Sequence, residues 1–240
     1  MTTLRIAFDM DGTLADLASA YSEMEDHVLG PAIAEHEQPS PEEREEEQHA
    51  AVPATIRDKP SHLQRRSRRG SIRHRDHVWQ AIEATPDFWT TLKPIDKKAI
   101  KRLYHLMGEH NWEVFFITQR PATAGRTVQW QTQKWLIDHG FPTPSVIPLS
   151  GGRGKAASVL HLDYLVDDTL QNCIDVLADS TARSILLIGE ADPVADRSAR
   201  RLGIGSARDI NHALDLLVQA SEARANPSMF EKLRKLVGWK

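Results

Sequence analysis

The stretch Leu4-Arg5-Ile6-Ala7-Phe8-Asp9-Met10-Asp11-Gly12-Thr13-Leu14 constrains this chain more than any other. An apolar run of strand length ends in two carboxylates two residues apart; Gly12 and Thr13 follow, and a helical pattern starts near Asp16. In an open α/β sheet, ligands sit beyond the carboxyl ends of the strands, so this stretch delivers Asp9 and Asp11 to the expected site. Two close carboxylates repel unless a cation or a shared proton compensates. A hard divalent ion such as Mg2+, which prefers oxygen ligands, meets that need. Asp-Gly is also a common hairpin turn, so the stretch alone leaves a purely structural turn open. A calcium loop does not fit: it needs Gly at its sixth position and Glu at its twelfth, and counting from Asp9 these are Leu14 and Ala20.

A length of 240 residues suggests one large domain or a domain with an insertion. The net charge of -3 creates no global field favouring nucleic acid or membrane. The single cysteine, Cys173, rules out an intramolecular disulfide framework and fits a reducing compartment. Its apolar helical surroundings point to a core position. No apolar run is long enough to cross a membrane, and the N-terminus lacks a basic segment followed by an apolar signal core. A cytoplasmic location is expected.

Residues from Asp16 to about Val28 read as a helix, after which the composition changes. Glu35 to Gln48 is dominated by Glu, and Pro31, Pro39, Pro41, Pro53 and Pro60 interrupt the stretch around it. Arg57, Lys59, Arg65, Arg66, Arg68, Arg69, Arg73 and Arg75 follow, with His62, His74 and His77 among them. Too few apolar residues are present to build a separate core. The expectation is a small helical insertion with a flexible acidic part. Its charges form either a solvated face or a lid that attracts a phosphate-bearing substrate.

From Val78 the chain regains core character, with Trp79, Ile82, Phe88 and Trp89 clustered before Leu92-Lys93-Pro94. Helical spacing runs over Asp96 to Glu109, Gly125 to His139, Thr169 to Ala178, Arg197 to Leu202 and Ile210 to Ala220. Short apolar strand runs occur at Val114–Ile117, Ser145–Leu149, Tyr164–Val166 and Ser184–Ile188. The first ends in Thr118-Gln119-Arg120-Pro121, and the third leads into Asp167-Asp168. Ser150-Gly151-Gly152-Arg153-Gly154-Lys155 invites a phosphate-loop reading that fails. The required first Gly falls at Leu149, and Ala156 stands where Ser or Thr must bind the metal. What survives is a glycine-rich turn placing Lys155 at a helix start. Strands alternating with helices predict an α/β fold with a mostly parallel, doubly wound, Rossmann-type sheet.

Asp9/Asp11, Thr118, Lys155 and Asp167/Asp168 occur in that order, each at the end of an apolar run or at a helix start. Together they supply what phosphoryl transfer through a covalent intermediate requires. A carboxylate can attack phosphorus, and a second carboxylic acid can protonate the leaving oxygen and then activate water. A hydroxyl, an ammonium group and a metal ion can stabilise the charge on the phosphoryl oxygens.

This motif set resembles the haloacid dehalogenase-like (HAD) hydrolase superfamily over residues 4–20 and 78–190. The resemblance implies Asp9 as nucleophile, Asp11 as acid/base, Thr118 as phosphoryl ligand and Lys155 as the cation between nucleophile and phosphate. It implies Mg2+ held by Asp9, the Asp11 main-chain carbonyl and Asp168, with Asp167 in support. Within the superfamily the chain looks closest to the 5'(3')-deoxyribonucleotidase group. Three stretches carry this likeness: Phe8 to Asp16; Trp79 through Phe88-Trp89 to Leu92-Lys93-Pro94; and Gln133-Lys134-Trp135-Leu136. The implied division is a core of residues 1–16 and 91–225, a helical cap over 17–90 and a C-terminal helix over 226–240.

Phe88 and Trp89 could stack on a base or fill the core, and Arg120 could grip a phosphate bidentately or reach solvent. Arg120 stands where the nucleotidases usually show a small residue before Pro. The expected activity is phosphomonoester hydrolysis on a nucleotide or another small phosphate ester. Two other readings stay open: action on nucleic-acid ends through the basic stretch Arg65 to Arg75, and a regulatory module without catalysis.

Overall fold

The computed structural model describes residues 3–33, 72–189 and 193–225. The Glu-rich stretch, most of the basic stretch and the expected C-terminal helix lie outside the described residues.

Six strands form one parallel sheet: β1 (Arg5–Asp9), β2 (Glu113–Thr118), β3 (Ser145–Pro148), β4 (Tyr164–Asp167), β5 (Arg183–Leu187) and β6 (Gly205–Ala207). Their order is β3-β2-β1-β4-β5-β6. The connecting helices are α1 (Leu17–Ile33), α2 (Ile72–Ala84), α3 (Lys97–Glu109), α4 (Val128–Asp138), α5 (Arg153–Val159), α6 (Leu170–Asp179), α7 (Pro193–Leu202) and α8 (Ile210–Ala225). The expected doubly wound α/β architecture is present. β6 adds a sixth strand that the apolar pattern does not predict, because Gly-Ser-Ala carries no branched or aromatic side chain.

Strand side chains alternate between the two faces of the sheet, and the core divides accordingly. Phe8, Phe116 and Val166 point into a large cluster with Leu17, Trp79, Trp89, Leu103, Trp135 and Leu214. Ala7, Ile117 and Leu165 point into a second cluster with Ala157, Leu162 and Val176. Cys173 is fully buried in a third, with Leu186, Ala199 and Ile204. Both faces of the sheet are covered, which is why its central strands read as nearly unbroken apolar runs. α1 and α2 join the large cluster through Tyr21 and Trp79, whose rings lie 5.6 Å apart.

Several ends are fixed by short polar residues. Asp16 caps α1, accepting from the Ser19 amide at 3.0 Å and the Ser19 hydroxyl at 2.6 Å. Asp96 caps α3 in the same manner, accepting from the Lys98 and Ala99 amides. α5 and α6 approach so closely that only glycine fits at 154. A Cβ there would lie 2.1 Å from the Asp175 main-chain oxygen. Gly154→Ala therefore has to push α5 off α6. Overpacking of this kind costs about 1–3 kcal/mol, so a fall in Tm of roughly 2–12 °C is expected in a thermal melt.

Candidate active site

The strand order reverses between β1 and β4: chain order runs outward from β1 to β3 on one side, then resumes at β4 on the other. Such a switch point opens a crevice at the carboxyl ends of the strands. Asp9 is the last residue of β1, and Asp167 is the last of the neighbouring β4. Thr118 ends β2, one step beyond Ile117, the register partner of Asp9. After β1 the chain turns at Gly12, whose φ of 87° suits glycine, and its amide donates to the Ala15 carbonyl at 2.9 Å. This turn keeps Asp11 beside the strand end.

Asp9, Asp167 and Asp168 each place a carboxylate oxygen within 4.8 Å of the others. Asp9 and Asp167 are buried, and Asp168 is half-buried. Asp167 is held from several sides: its oxygens accept from the Thr169 amide at 2.8 Å and from the Asn172 side chain at 3.0 Å. Arg153, buried at the start of α5, donates to Asp9 through Nη2 and to Asp167 through Nε at 3.4 Å. Its Nη1 is buried and has no hydrogen-bond partner.

Burial pushes the Asp9 carboxyl well above the usual range; Arg153 opposes this, and Asp167, Asp168 and Asp11 add to it. Asp167 is pushed up to about 6, again chiefly by burial, with Arg153 opposing and Asp168 reinforcing. One arginine thus stands against three carboxylates, and the excess negative charge suits a divalent cation. The all-oxygen donor set suits a hard one.

Asp11 lies outside this group of three. Arg120 holds its carboxylate side-on: Nε donates to Oδ2 at 2.9 Å and Oδ1 at 3.1 Å, and Nη2 donates to Oδ1 at 2.7 Å. Arg120 therefore neither reaches solvent nor offers its fork to a phosphate. Its Nη1 donates to the Thr132 hydroxyl at 3.0 Å, and its guanidinium lies 4.8 Å from the centre of the Trp89 ring. Thr118 is buried, and its hydroxyl accepts weakly from the Arg120 amide at 3.4 Å.

Two expectations need correction. Lys155 is exposed on the outer side of α5, and Arg153 takes the place expected for it beside Asp9. Residues two apart on a helix point about 200° away from each other, so only one of the pair can face the site. Arg153, Gly154 and Ala157 share the packed face of α5, but Ala156 is equally small and only half-buried, so residue type alone does not give the phase. Phe88 and Trp89 are core side chains. They are 4% and 0% exposed and form an edge-to-face pair 5.1 Å apart. The Trp89 indole N–H donates to the Pro121 carbonyl at 3.0 Å, while Phe88 also lines part of a cleft.

This cleft, of about 290 Å³, is lined by Asp16, Ser19, Glu23, Met24, Phe88 and Lys93 among others; Asp16 follows Ala15, which bridges to Asp11.

Among solved structures, a HAD family hydrolase from Deinococcus radiodurans R1, determined with bound phosphate and sodium, matches with a TM-score of 0.51 at 14% identity. The match covers 93% of this chain and 96% of that one. This chain has the HAD fold. A hydrolase from Pseudomonas syringae matches with a TM-score of 0.49 at 12% identity, over 90% of this chain and 98% of that one. No protein-family model and no curated protein matches the chain. In the HAD fold seen here, the three-carboxylate group sits at the switch point of the sheet. Among the described residues no helix is long and apolar enough to cross a membrane.

Proposed function

We propose that this protein is a Mg2+-dependent phosphomonoester hydrolase that works through an aspartyl-phosphate on Asp9. One observation carries the reading: Asp9 is fixed at the switch point by Arg153, within 4.8 Å of two further carboxylates. The buried, unpaired Nη1 of Arg153 supports it further, since a phosphoryl oxygen would satisfy that donor.

In this reading the Asp9 carboxylate attacks phosphorus. The ester P–O bond breaks, and its electron pair stays on the leaving oxygen, which takes a proton from Asp11 and departs as an alcohol. Water then attacks phosphorus and gives its proton to Asp11. The bond between Asp9 and phosphorus breaks, inorganic phosphate leaves, and the carboxylate is restored. Arg153 offsets charge between nucleophile and phosphate in place of Lys155, and Thr118 binds the phosphoryl group. Asp9, the Asp11 main-chain carbonyl and Asp168 would hold Mg2+, with Asp167 supporting them. The ion supplies neutralisation of the charge that develops on the phosphoryl oxygens. The organic part of the ester enters the cleft that begins at Asp16.

The likeness to 5'(3')-deoxyribonucleotidases makes nucleoside monophosphates the first substrates to test, and a cytoplasmic setting goes with them. The test is a phosphate-release screen with Mg2+ over nucleoside monophosphates, sugar phosphates and phosphorylated oligonucleotides, with Asp9→Asn as the blank. Selective release from deoxynucleoside monophosphates supports the nucleotidase reading. Release only from oligonucleotides would move the substrate to nucleic-acid ends. No release from any ester would contradict the proposal.

Metal binding is expected to depend on pH. Ordinary Asp titrates near about 4, whereas Asp167 in the fold titrates at about 6. The folded, metal-free protein thus holds a proton that the unfolded chain has lost between these values. This carboxyl's contribution to stability is fully present below about 4 and is lost as pH rises through about 6. Metal requires the ionised form and must displace that proton below pH 6. Asp9, a direct ligand in this reading, is pushed up by burial as well, so apparent Mg2+ affinity should fall by at least about tenfold per pH unit below that point. Thermal shift titrations at several pH values check this; an affinity constant from pH 7.5 to 5 would contradict it.

A further inference from the structure

We propose that Arg120 is a positioning residue for Asp11, setting the plane of the carboxylate that exchanges protons with the leaving group and water. This rests on the reading of Asp11 given above. The Arg120 side chain is fully buried, and its three nitrogens are committed: Nε and Nη2 to Asp11, Nη1 to Thr132. Trp89 lies under the guanidinium and is itself pinned, because its amide donates to Gln131 at 3.0 Å and its indole to Pro121. Gln131 and Thr132 are adjacent, fully buried positions on α4. The first turns of α4 therefore hold Arg120, and Arg120 holds Asp11.

A fork of this kind fixes direction as well as distance, which a lysine cannot do. It also leaves acceptor capacity on Asp11, because two carboxylate oxygens offer about four lone-pair sites. Without Arg120, Asp11 rotates freely on the turn after β1, and proton transfer to the leaving oxygen becomes poorly aligned. Binding of the phosphoryl group, assigned to Thr118 and Arg153, stays intact.

The signature is therefore a loss in kcat/KM, which reports the leaving-group step, that depends on the leaving group. Arg120→Gln should lower kcat/KM on an alkyl phosphate on the order of 10²-fold. On p-nitrophenyl phosphate, whose leaving group departs without a proton, the loss in kcat/KM should stay under about tenfold, while kcat falls on both esters because water activation is common to them. Arg120→Lys should recover little, since it restores charge without the fork. Adding Arg120→Gln to Asp11→Asn should cost nothing further, because both changes remove one function.

A KM rise on all esters with kcat retained would overturn the proposal in favour of a phosphate grip. Equal losses in kcat/KM on alkyl and aryl esters, or losses that multiply with Asp11→Asn, would overturn it in favour of a structural role. Should Arg120→Gln fail to fold, Thr132→Val removes one support of the guanidinium and should show the same leaving-group signature in weaker form. Equal effects of Thr132→Val on kcat/KM for both esters would then overturn the proposal. Failure of the underlying reading shows separately, as wild-type turnover that survives Asp9→Asn.

Discussion

Asp9→Asn is expected to abolish phosphate release, on the order of 10⁴-fold or more, while the protein stays folded. Loss of an attacking group removes the covalent route outright, and such losses are among the largest that single substitutions produce. Asn keeps the shape of Asp, and Arg153 keeps its second partner, Asp167. The substitution also removes one of three crowded negative charges from a buried site. Thermal stability of the metal-free protein should therefore change little, while its response to Mg2+ weakens. Phosphate release, a thermal melt and a Mg2+ titration on one preparation separate these effects. Wild-type turnover by folded Asp9→Asn would remove Asp9 from the chemistry.

The second large effect is expected from Arg153→Ala. Among the described residues this side chain is the one cation that touches both Asp9 and Asp167. Removing one partner of a buried ion pair generally costs about 3–5 kcal/mol. Part of that cost will be avoided here because Asp9 and Asp167, already pushed up by burial, will take up protons instead. The remedy for stability is a defect for catalysis, since a protonated Asp9 does not attack phosphorus. A kcat loss on the order of 10²–10³ is expected, together with a rate that rises with pH. Lys155→Ala, on the exposed side of the same helix, should leave the rate within about twofold, as surface substitutions distant from a site generally do little. Similar losses in the two variants would contradict the assignment of Arg153.

The contrast between these two residues shows where the sequence was legible. Runs such as Ile6-Ala7-Phe8 and Val114–Ile117 announce strands buried on both faces, and the polar residues at their ends, Asp9 and Asp11 after the first and Thr118 after the second, announce a site at the carboxyl edge. Three-residue β6 has no such signal; its place is set by pairing to β5 and by the contacts that α7 and α8 make with it. At α5 the turn and the helix start were legible, but the helix phase was not. Close packing of Gly154 on Asp175 sets that phase, and this contact between two helices is a tertiary fact. Arg120 is a similar case. Its distance from Asp11 along the chain is 109 residues, and no local pattern says that a guanidinium after β2 will turn to the loop after β1. The sequence leaves Phe88 and Trp89 open between core and platform; packing in the large cluster decides for core at Trp89, while Phe88 packs there and also lines the cleft.

The most direct test of the account is to trap the covalent intermediate. Wild-type protein is mixed with Mg2+ and a phosphate ester that it turns over, quenched in acid within one turnover, digested and examined by mass spectrometry. The account predicts a hydroxylamine-sensitive phosphoryl group on the peptide carrying Asp9, absent from Asp9→Asn. Turnover with no label on that peptide, or a label on another residue, would contradict it.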